Sequence, residues 1–426
     1  MNIAQAITEV NRCLLCHDAP CSKSCPGGTD PGKFIRKLRF KNITGAIRTI
    51  KENNILGGAC GLLCPSARLC EKECSAKGLD RPIRIGAIQS ALVEHSWNIG
   101  FEVFERPVAI KDKIAIVGSG PAGLSCAATL ARAGFKVTMF EEKPQAGGVL
   151  RYGVPEYRLP VKFLERELKD LETLGVEIRC STPIKGKDAI EGLFKNGCKA
   201  VFLATGLWQG MRLKEGAIAD GVLNATAFLE AMRTKYSAKM KEFIKDKRVA
   251  VIGGGSVAID CAESAAKYGA GDVYLIYRRS FTQMPAEEDE RVSALNSGIH
   301  FLLLNQPADY IADRSGRLTG VKLIKTRLGP KDASGRKSPE NIAGSEWALP
   351  VDVCIEAIGS EAPLVSPEWY PMVRVTKGRL IDADTETCKT SAKGIFAGGD
   401  VVRGPALVID AIADGKAAAA AIRESL

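Results

Sequence analysis

Eight of the fourteen cysteines fall between residues 13 and 74, in two runs of related design. The first is Cys13-x2-Cys16-x4-Cys21-x3-Cys25-Pro26; the second is Cys60-x3-Cys64-Pro65-x4-Cys70-x3-Cys74. Residues 1–12 lack the apolar core of an export signal, so disulfides are not the expected use of these thiols. Two kinds of metal centre could claim them. Zinc takes four thiolates in closed tetrahedra, usually from paired Cys-x2-Cys knuckles. Iron–sulfur clusters favour a cysteine run ended by Cys-Pro, whose last cysteine can serve the other cluster of a pair. Both runs contain Cys-Pro and only one true Cys-x2-Cys is present, which favours iron–sulfur over zinc. Residues 1–90 also hold 14 Lys and Arg against 7 Asp and Glu, most of the chain's net +10. A basic patch can bind nucleic acid, but no nucleic-acid module is recognisable here. Cations that offset anionic thiolate-ligated clusters are the preferred reading, and a merely solvated basic face is the alternative.

A second chemistry is written in glycine. The turn Gly118-Ser119-Gly120-Pro121-Ala122-Gly123 follows an apolar run and opens an Ala- and Leu-rich helical pattern. In Gly-x-Gly-x-x-Gly the first glycine permits the tight turn and the second lets backbone approach a pyrophosphate. The third lets helix pack on strand, and the helix N-terminus offers N–H groups to the phosphates. Glu141, closing the next apolar run, supplies a carboxylate for ribose hydroxyls. The pattern repeats at Gly253-Gly254-Gly255-Ser256-Val257-Ala258, after an apolar run at 248–252. Where the first copy has Glu141, the second has Arg278-Arg279. An acid there accepts from a free ribose, whereas arginines can bind a 2′-phosphate, so the second site is expected to prefer NADPH to NADH. A structural salt bridge is the other role open to that pair.

These groups need frames. Residues 33–53 show apolar positions at helical spacing with a basic outer face. Residues 104–110 read as a linker into the first nucleotide unit. The Gly-, Pro- and Arg-rich stretch 147–160 suits a backbone wall against a flat ring, with Arg158 available to an anionic part of the ligand. A helix over 161–174, a strand over 176–180 and a strand over 200–206 ending in Ala-Thr-Gly complete that unit. In the second unit a strand over 352–358 ends in Ala357-Ile358-Gly359. Residues 329–346 are polar and irregular and read as an exposed loop. Gly398-Gly399-Asp400, followed by a helix over 406–422, suits the ribityl-pyrophosphate part of a flavin. It implies that the chain returns to the first nucleotide domain after completing the second. Cys126, Cys180, Cys198, Cys261, Cys354 and Cys388 form no Cys-x-x-Cys beside either unit, which argues against a flavin-coupled disulfide exit. His17, His95 and His300 are isolated and suit surface or packing roles. No apolar run approaches a membrane span, so a cytoplasmic protein without membrane contact is expected.

The whole arrangement resembles the glutamate synthase small subunit and its relatives. More closely it resembles the flavoprotein subunit of bacterial dihydropyrimidine dehydrogenase and the N-terminal half of the single-chain eukaryotic enzyme. The resemblance is carried by Cys13-Leu-Leu-Cys-His-Asp-Ala-Pro-Cys21, Cys25-Pro26, Asp30-Pro-Gly-Lys-Phe-Ile-Arg36, Glu52-Asn-Asn54, Cys64-Pro65 and Pro82-Ile-Arg-Ile-Gly86 through Gln89. It implies an α/β chain in which a helical iron–sulfur domain (1–110) precedes two nested Rossmann-like domains. These are an FAD domain in two parts (111–226 and 369–426) and an NAD(P)H domain (227–368) between them. It implies two 4Fe-4S clusters with interleaved ligands: Cys13, Cys16, Cys21 and Cys74 for one, and Cys25, Cys64, Cys70 and the amide oxygen of Gln89 for the other. Cys60 would then be a bystander. For FAD the matching positions are Gly118, Ser119, Gly120, Pro121, Ala122 and Glu141, then Gly148, Val149, Arg158 and Ile184, and finally Gly399, Asp400, Leu407 and Val408. For NADPH, with NADH as the alternative donor, they are Gly254, Gly255, Ser256, Val257, Arg278, Arg279, Ala357, Ile358 and Gly359. No catalytic side chain is required. The resemblance implies an electron-input subunit in a hetero-oligomer with a second subunit carrying FMN and iron–sulfur clusters, the pyrimidine-reducing part of a dihydropyrimidine dehydrogenase. A glutamate-synthase-like input subunit feeding another acceptor is the alternative.

Overall fold

In the computed structural model, residues 1–108, 111–213, 219–332 and 335–426 are described. The end of the expected 104–110 linker and the tip of the 329–346 segment lie outside them. The chain forms two units: Met1–Arg151, Glu156–Leu207 and Ala362–Leu426 make the first, and Tyr152–Pro155 with Trp208–Glu361 the second.

The first unit begins with helices. In Ile3–Val10 the Asn2 side chain accepts the Gln5 N–H while Gln5 accepts the Asn2 N–H, a reciprocal cap that satisfies two orphan donors. The helical spacing over residues 33–53 resolves into two helices, Pro31–Arg39 and Ile43–Asn53. The break falls where Lys41 takes φ +60°, and Asn42 restarts the chain by accepting the Gly45 N–H at 2.8 Å. Phe34, Ile35 and Leu38 from the first helix and Ile47 and Ile50 from the second are fully buried. Helices Gly57–Leu63 and Ile85–Asn98 complete the layer.

The same unit holds a five-stranded parallel sheet in the order Ile395–Ala397, Cys198–Leu203, Lys113–Val117, Lys136–Phe140, Glu177–Arg179. Strands covered on both faces read as continuous apolar runs, which is why residues 113–117 are legible as strand. The edge strand Ile395–Ala397 comes from the C-terminal segment and pairs parallel with Cys198–Leu203. Helix Val408–Ser425 then lies across helix Pro121–Arg132, with Gly415 at the crossing. A Cβ on Gly415 would sit 2.2 Å from the Ala122 carbonyl oxygen and 2.9 Å from the Cys126 nitrogen. Backbone cannot yield as a flexible side chain would. Gly415→Ala is therefore expected to lower stability by about 3 kcal/mol and to strip flavin from the purified protein, measured by thermal unfolding and bound-flavin content.

The second unit repeats the plan, with parallel strands in the order Val222–Asn224, Val353–Glu356, Arg248–Ile252, Asp272–Tyr277, His300–Leu303. Here the edge strand Val222–Asn224 comes from before the Gly-rich turn instead of from the chain's end. The expected loop over 329–346 is corrected by the structure. Strand Leu318–Lys331 pairs antiparallel with Lys337–Asn341, and also with Asn305–Ala312 and Trp347–Pro350. The projecting arm of this hairpin is exposed or half-buried along its length, so it lacks the apolar alternation by which strands are recognised. Among the described residues, no helix is long and apolar enough to cross a membrane.

Candidate functional site

Cys13, Cys16, Cys21 and Cys74 line one hollow together with Leu14, Leu15 and Ala76. Burial, with Cys74, Cys13 and Cys16 close by, pushes the Cys21 thiol up to about 11, and burial raises Cys13 as well. Cys13 and Cys21 thus resist ionisation unless a cation joins them, and four thiols lining one hollow make a donor set that fits a metal cluster. Arg36 donates to the Cys16 carbonyl at 3.2 Å and Arg39 donates to that of Cys13. Part of the domain's basic excess is thus built into the ligand loops.

Cys25, Cys64 and Cys70 form a second group. Cys64 is pushed well up by its hydrogen bond with Cys60, by burial, and by Cys25 and Cys70 nearby, and burial drives Cys70 to about 12. Cys60 joins this neighbourhood: it is buried, and it accepts from Asn54 Nδ2 at 3.3 Å. Gln89 is buried on helix Ile85–Asn98 and donates Nε2 to the Gly57 carbonyl at 2.5 Å. That bond orients the amide, whose oxygen is the atom with lone pairs to offer. Among the described residues, no three His, Cys, Asp or Glu groups converge on a point as a single metal ion requires.

Of the positions expected for flavin, Glu141, Gly148 and Gly399 lie against the 118–123 turn. Gly118 has φ +102°, and a Cβ there would meet the Ala204 carbonyl oxygen at 2.4 Å, so only glycine fits. Gly120 faces open space, whereas a Cβ on Gly148 would meet the Gly120 Cα at 2.6 Å. The two segments therefore press together and leave a cradle that a side chain would fill. Pro121 and Ala122 open helix Pro121–Arg132, Pro121 at a position where no N–H is needed. Glu141 does not stand alone: its carboxylate accepts from Ser119 N at 3.0 Å, from Ser119 Oγ at 2.5 Å and from Lys143 N at 2.8 Å. Val149 begins the short helix Val149–Tyr152, Arg158 is half-buried, and Ile184 packs on the core beneath the sheet. Asp400 begins helix Asp400–Arg403, and burial pushes its carboxyl up to about 6. Leu407 and Val408 lead into helix Val408–Ser425.

Three supporting residues escaped the sequence reading. Asp414 is buried and accepts from Gly399 N at 2.9 Å and from the Arg403 guanidinium, which pins the Gly399-Asp400 corner. A lone acid on an Ala-rich helix was the only signal. Glu167, on helix Val161–Thr173, is buried and accepts from Gly58 N at 2.7 Å and Ala59 N at 3.2 Å. It ties the flavin sheet's helix to the cysteine-bearing helix Gly57–Leu63. Lys416 adds hydrogen bonds to the Gly27 and Asn53 carbonyls.

In the second unit Gly253 has φ +146°, and a Cβ would meet the Ala357 carbonyl oxygen at 2.2 Å, repeating the contact made at Gly118. A Cβ on Gly254 would strike the Tyr277 ring at 2.5 Å, while Gly255 faces open space ahead of helix Ser256–Lys267. Val257 is 51% exposed in the first turn of that helix, ready to be covered. Ala357, Ile358 and Gly359 follow strand Val353–Glu356, and Gly359 O accepts from Met211 N at 2.9 Å. Arg278 is exposed, but Arg279 is buried and bonded to Asp332 and to the Lys337 carbonyl. The structure thus separates a pair that the sequence presents as one feature. The six cysteines beyond the two runs form no disulfide; five are buried and Cys180 is half-buried. His300 stacks on Tyr274 at 5.3 Å, a packing role.

Comparison with known proteins follows this geometry. Residues 112–415 match the pyridine nucleotide-disulphide oxidoreductase family, and residues 1–100 match the dihydropyrimidine dehydrogenase domain II, 4Fe-4S cluster family. The chain is 34% identical to the NAD-dependent dihydropyrimidine dehydrogenase subunit PreT of Salmonella typhimurium, over 99% of this chain and 94% of that one. It is 33% identical to the glutamate synthase [NADPH] small chain of Escherichia coli, over 97% of this chain and 90% of that one. Among solved structures, Mycobacterium tuberculosis FprA in complex with NADPH superimposes with a TM-score of 0.61. That match has 18% identity and covers 74% of this chain and 84% of FprA, a likeness of fold.

Proposed function

The chain belongs to the pyridine nucleotide-disulphide oxidoreductase family and carries a 4Fe-4S domain of the dihydropyrimidine dehydrogenase type ahead of it, and from that premise we propose that it is the electron-input subunit of a larger oxidoreductase. The second unit binds NAD(P)H, the first holds FAD, and two 4Fe-4S clusters in the helical layer lead single electrons to a partner. Bound FAD accepts a hydride and releases electrons one at a time, chemistry that belongs to the cofactor. The chain's residues bind and orient. Gly118, Gly120 and Gly148 shape a cradle for pyrophosphate, Glu141 orders Ser119, and Asp414 fixes the Gly399-Asp400 corner. Cys13, Cys16, Cys21 and Cys74 hold one cluster; Cys25, Cys64, Cys70 and Gln89 hold the other. Arg278 favours NADPH.

One observation supports the reading: the glycine-rich cradle and both cysteine groups share one compact unit, joined by Glu167 and Lys416. The partner proposed is the FMN-bearing, pyrimidine-reducing subunit of a dihydropyrimidine dehydrogenase, supported by the full-length similarity to PreT. A glutamate-synthase-like partner is supported almost equally by the similarity to the NADPH-dependent small chain.

The test uses the chain alone, purified without oxygen and titrated with NADPH or NADH. Flavin absorbance should bleach, and the same titration should raise the electron-spin signal of reduced clusters. Flavin reduction that leaves the clusters oxidised, in protein containing its full iron, overturns the relay. Adding the candidate FMN subunit with uracil should reoxidise the flavin if the pyrimidine partner is right, and leave it reduced if it is not.

A further inference from the structure

Arg278 and Arg279 do not act as a pair in this fold. Arg279 is 4% exposed; its Nε donates to the Lys337 carbonyl at 2.7 Å and its Nη2 to Asp332 Oδ2 at 2.8 Å. Both acceptors belong to the inserted hairpin: Asp332 follows strand Leu318–Lys331 directly, and Lys337 opens strand Lys337–Asn341. The Arg278 side chain is exposed, yet its carbonyl accepts from the buried Thr326 hydroxyl on the same long strand at 2.9 Å. The hairpin therefore grips the end of strand Asp272–Tyr277 at two consecutive residues and sorts their side chains. One guanidinium is committed inward and the other is presented to solvent.

We propose that Asp332 is a specificity-determining residue, which holds Arg279 on the hairpin and leaves Arg278 as the member of the pair offered to a ribose 2′-phosphate. This inference rests on the nucleotide reading of the second unit and sharpens it. Arg279 spends Nε on the Lys337 carbonyl and Nη2 on Asp332, and a carboxylate and a phosphate compete for such guanidinium donors on the same terms. While Asp332 holds Arg279 through Nη2, the site discriminates NADPH from NADH with one arginine instead of two. The residue acts through Arg279 and touches no nucleotide itself, so it is a positioning residue.

The test is calorimetric titration of the intact, cofactor-loaded protein with 2′,5′-ADP and with 5′-AMP, which differ only in the 2′-phosphate. Asp332→Ala should tighten 2′,5′-ADP about tenfold, the scale of one hydrogen bond to a charged group, and leave 5′-AMP unchanged. The gain should vanish in the double variant Asp332→Ala, Arg279→Ala. A gain that survives in the double variant reflects only lost repulsion and overturns the proposal, as does the absence of any gain. If Asp332→Ala weakens 5′-AMP through damage to the hairpin, Asp332→Asn takes its place, since it removes the charge and keeps an acceptor. It should move 2′,5′-ADP in the same direction, and failure to do so is equally decisive. Arg278→Ala separates this inference from the reading beneath it. It should weaken 2′,5′-ADP and spare 5′-AMP; indifference to both would remove the 2′-phosphate site itself, whatever Asp332 does.

Discussion

Replacing Cys64 with alanine is expected to cost the protein about half of its iron and acid-labile sulfide, whereas Cys60→Ala should retain both. The two residues lie one helical turn apart, bonded to each other, and spacing alone makes them equal candidates. Their surroundings differ. Cys60 is 2% exposed inside helix Gly57–Leu63 and is already bonded to Asn54, whose own amide also reaches Thr29. Cys64 caps the end of that helix in extended conformation, beside Cys25 and Cys70. A cluster deprived of one of four ligands exposes an iron to solvent and is lost, while removal of a supporting thiol leaves the ligand set whole. Iron, sulfide and FAD should be assayed on protein purified without oxygen, with FAD as the internal count. Equal iron loss in both variants would place Cys60 among the ligands and remove Gln89 from them.

What the sequence made legible is what short-range geometry encodes. Gly118 and Gly253 each lie against a carbonyl at the end of the neighbouring strand, Ala204 and Ala357, and no side chain can be placed there. The glycine spacing therefore carried the nucleotide plan twice. The return of the chain to the first sheet was legible for the same reason, because Gly398-Gly399-Asp400 follows a short apolar strand. The cysteine runs announced a metal centre through density and Cys-Pro alone, but their division into two sets came from resemblance. The first set does meet in one hollow.

The illegible part is long-range. Arg279 reaches an acid 53 residues away, and Glu167 serves the Gly58 amide 109 residues away. Neither partner is marked by local pattern, since a Glu on an amphipathic helix and an Asp beside a turn are ordinary solvated residues. The hairpin that engages Arg279 was invisible too, because polar residues on both faces hide the period of two. The specificity proposed for the second unit thus depends on an element that sequence reading discards as loop. The same holds for the seam between flavin sheet and cluster layer, which is made by Glu167, Lys416 and the ion pair of Lys51 with Asp170 at 2.8 Å.

Glu167→Ala is expected to destabilise the protein by about 3 kcal/mol or more, because two buried helix-start N–H groups lose their acceptor and a cavity replaces the side chain. Glu167→Gln should behave differently, and the difference depends on pH. Burial, with Cys60 nearby, pushes the Glu167 carboxyl well above the ordinary range, and the amides of Gly58 and Ala59 only partly oppose that. The folded state therefore holds the proton more tightly than the unfolded chain. Stability from this group is complete below its unfolded value of about 4.5, falls as pH rises beyond it, and stops falling above the raised folded value. Each pH unit inside that window costs about 1.4 kcal/mol. Glutamine carries no proton to lose. Glu167→Gln should therefore gain steadily on the parent as pH climbs beyond about 4.5 towards the raised folded value. It still accepts the Gly58 N–H through its amide oxygen, so the seam survives. Denaturant unfolding at several pH values on cluster-loaded protein reads both effects. A constant offset between parent and Glu167→Gln across that range would show that this carboxylate is ionised in the fold, held by the two amides instead of neutralised by burial.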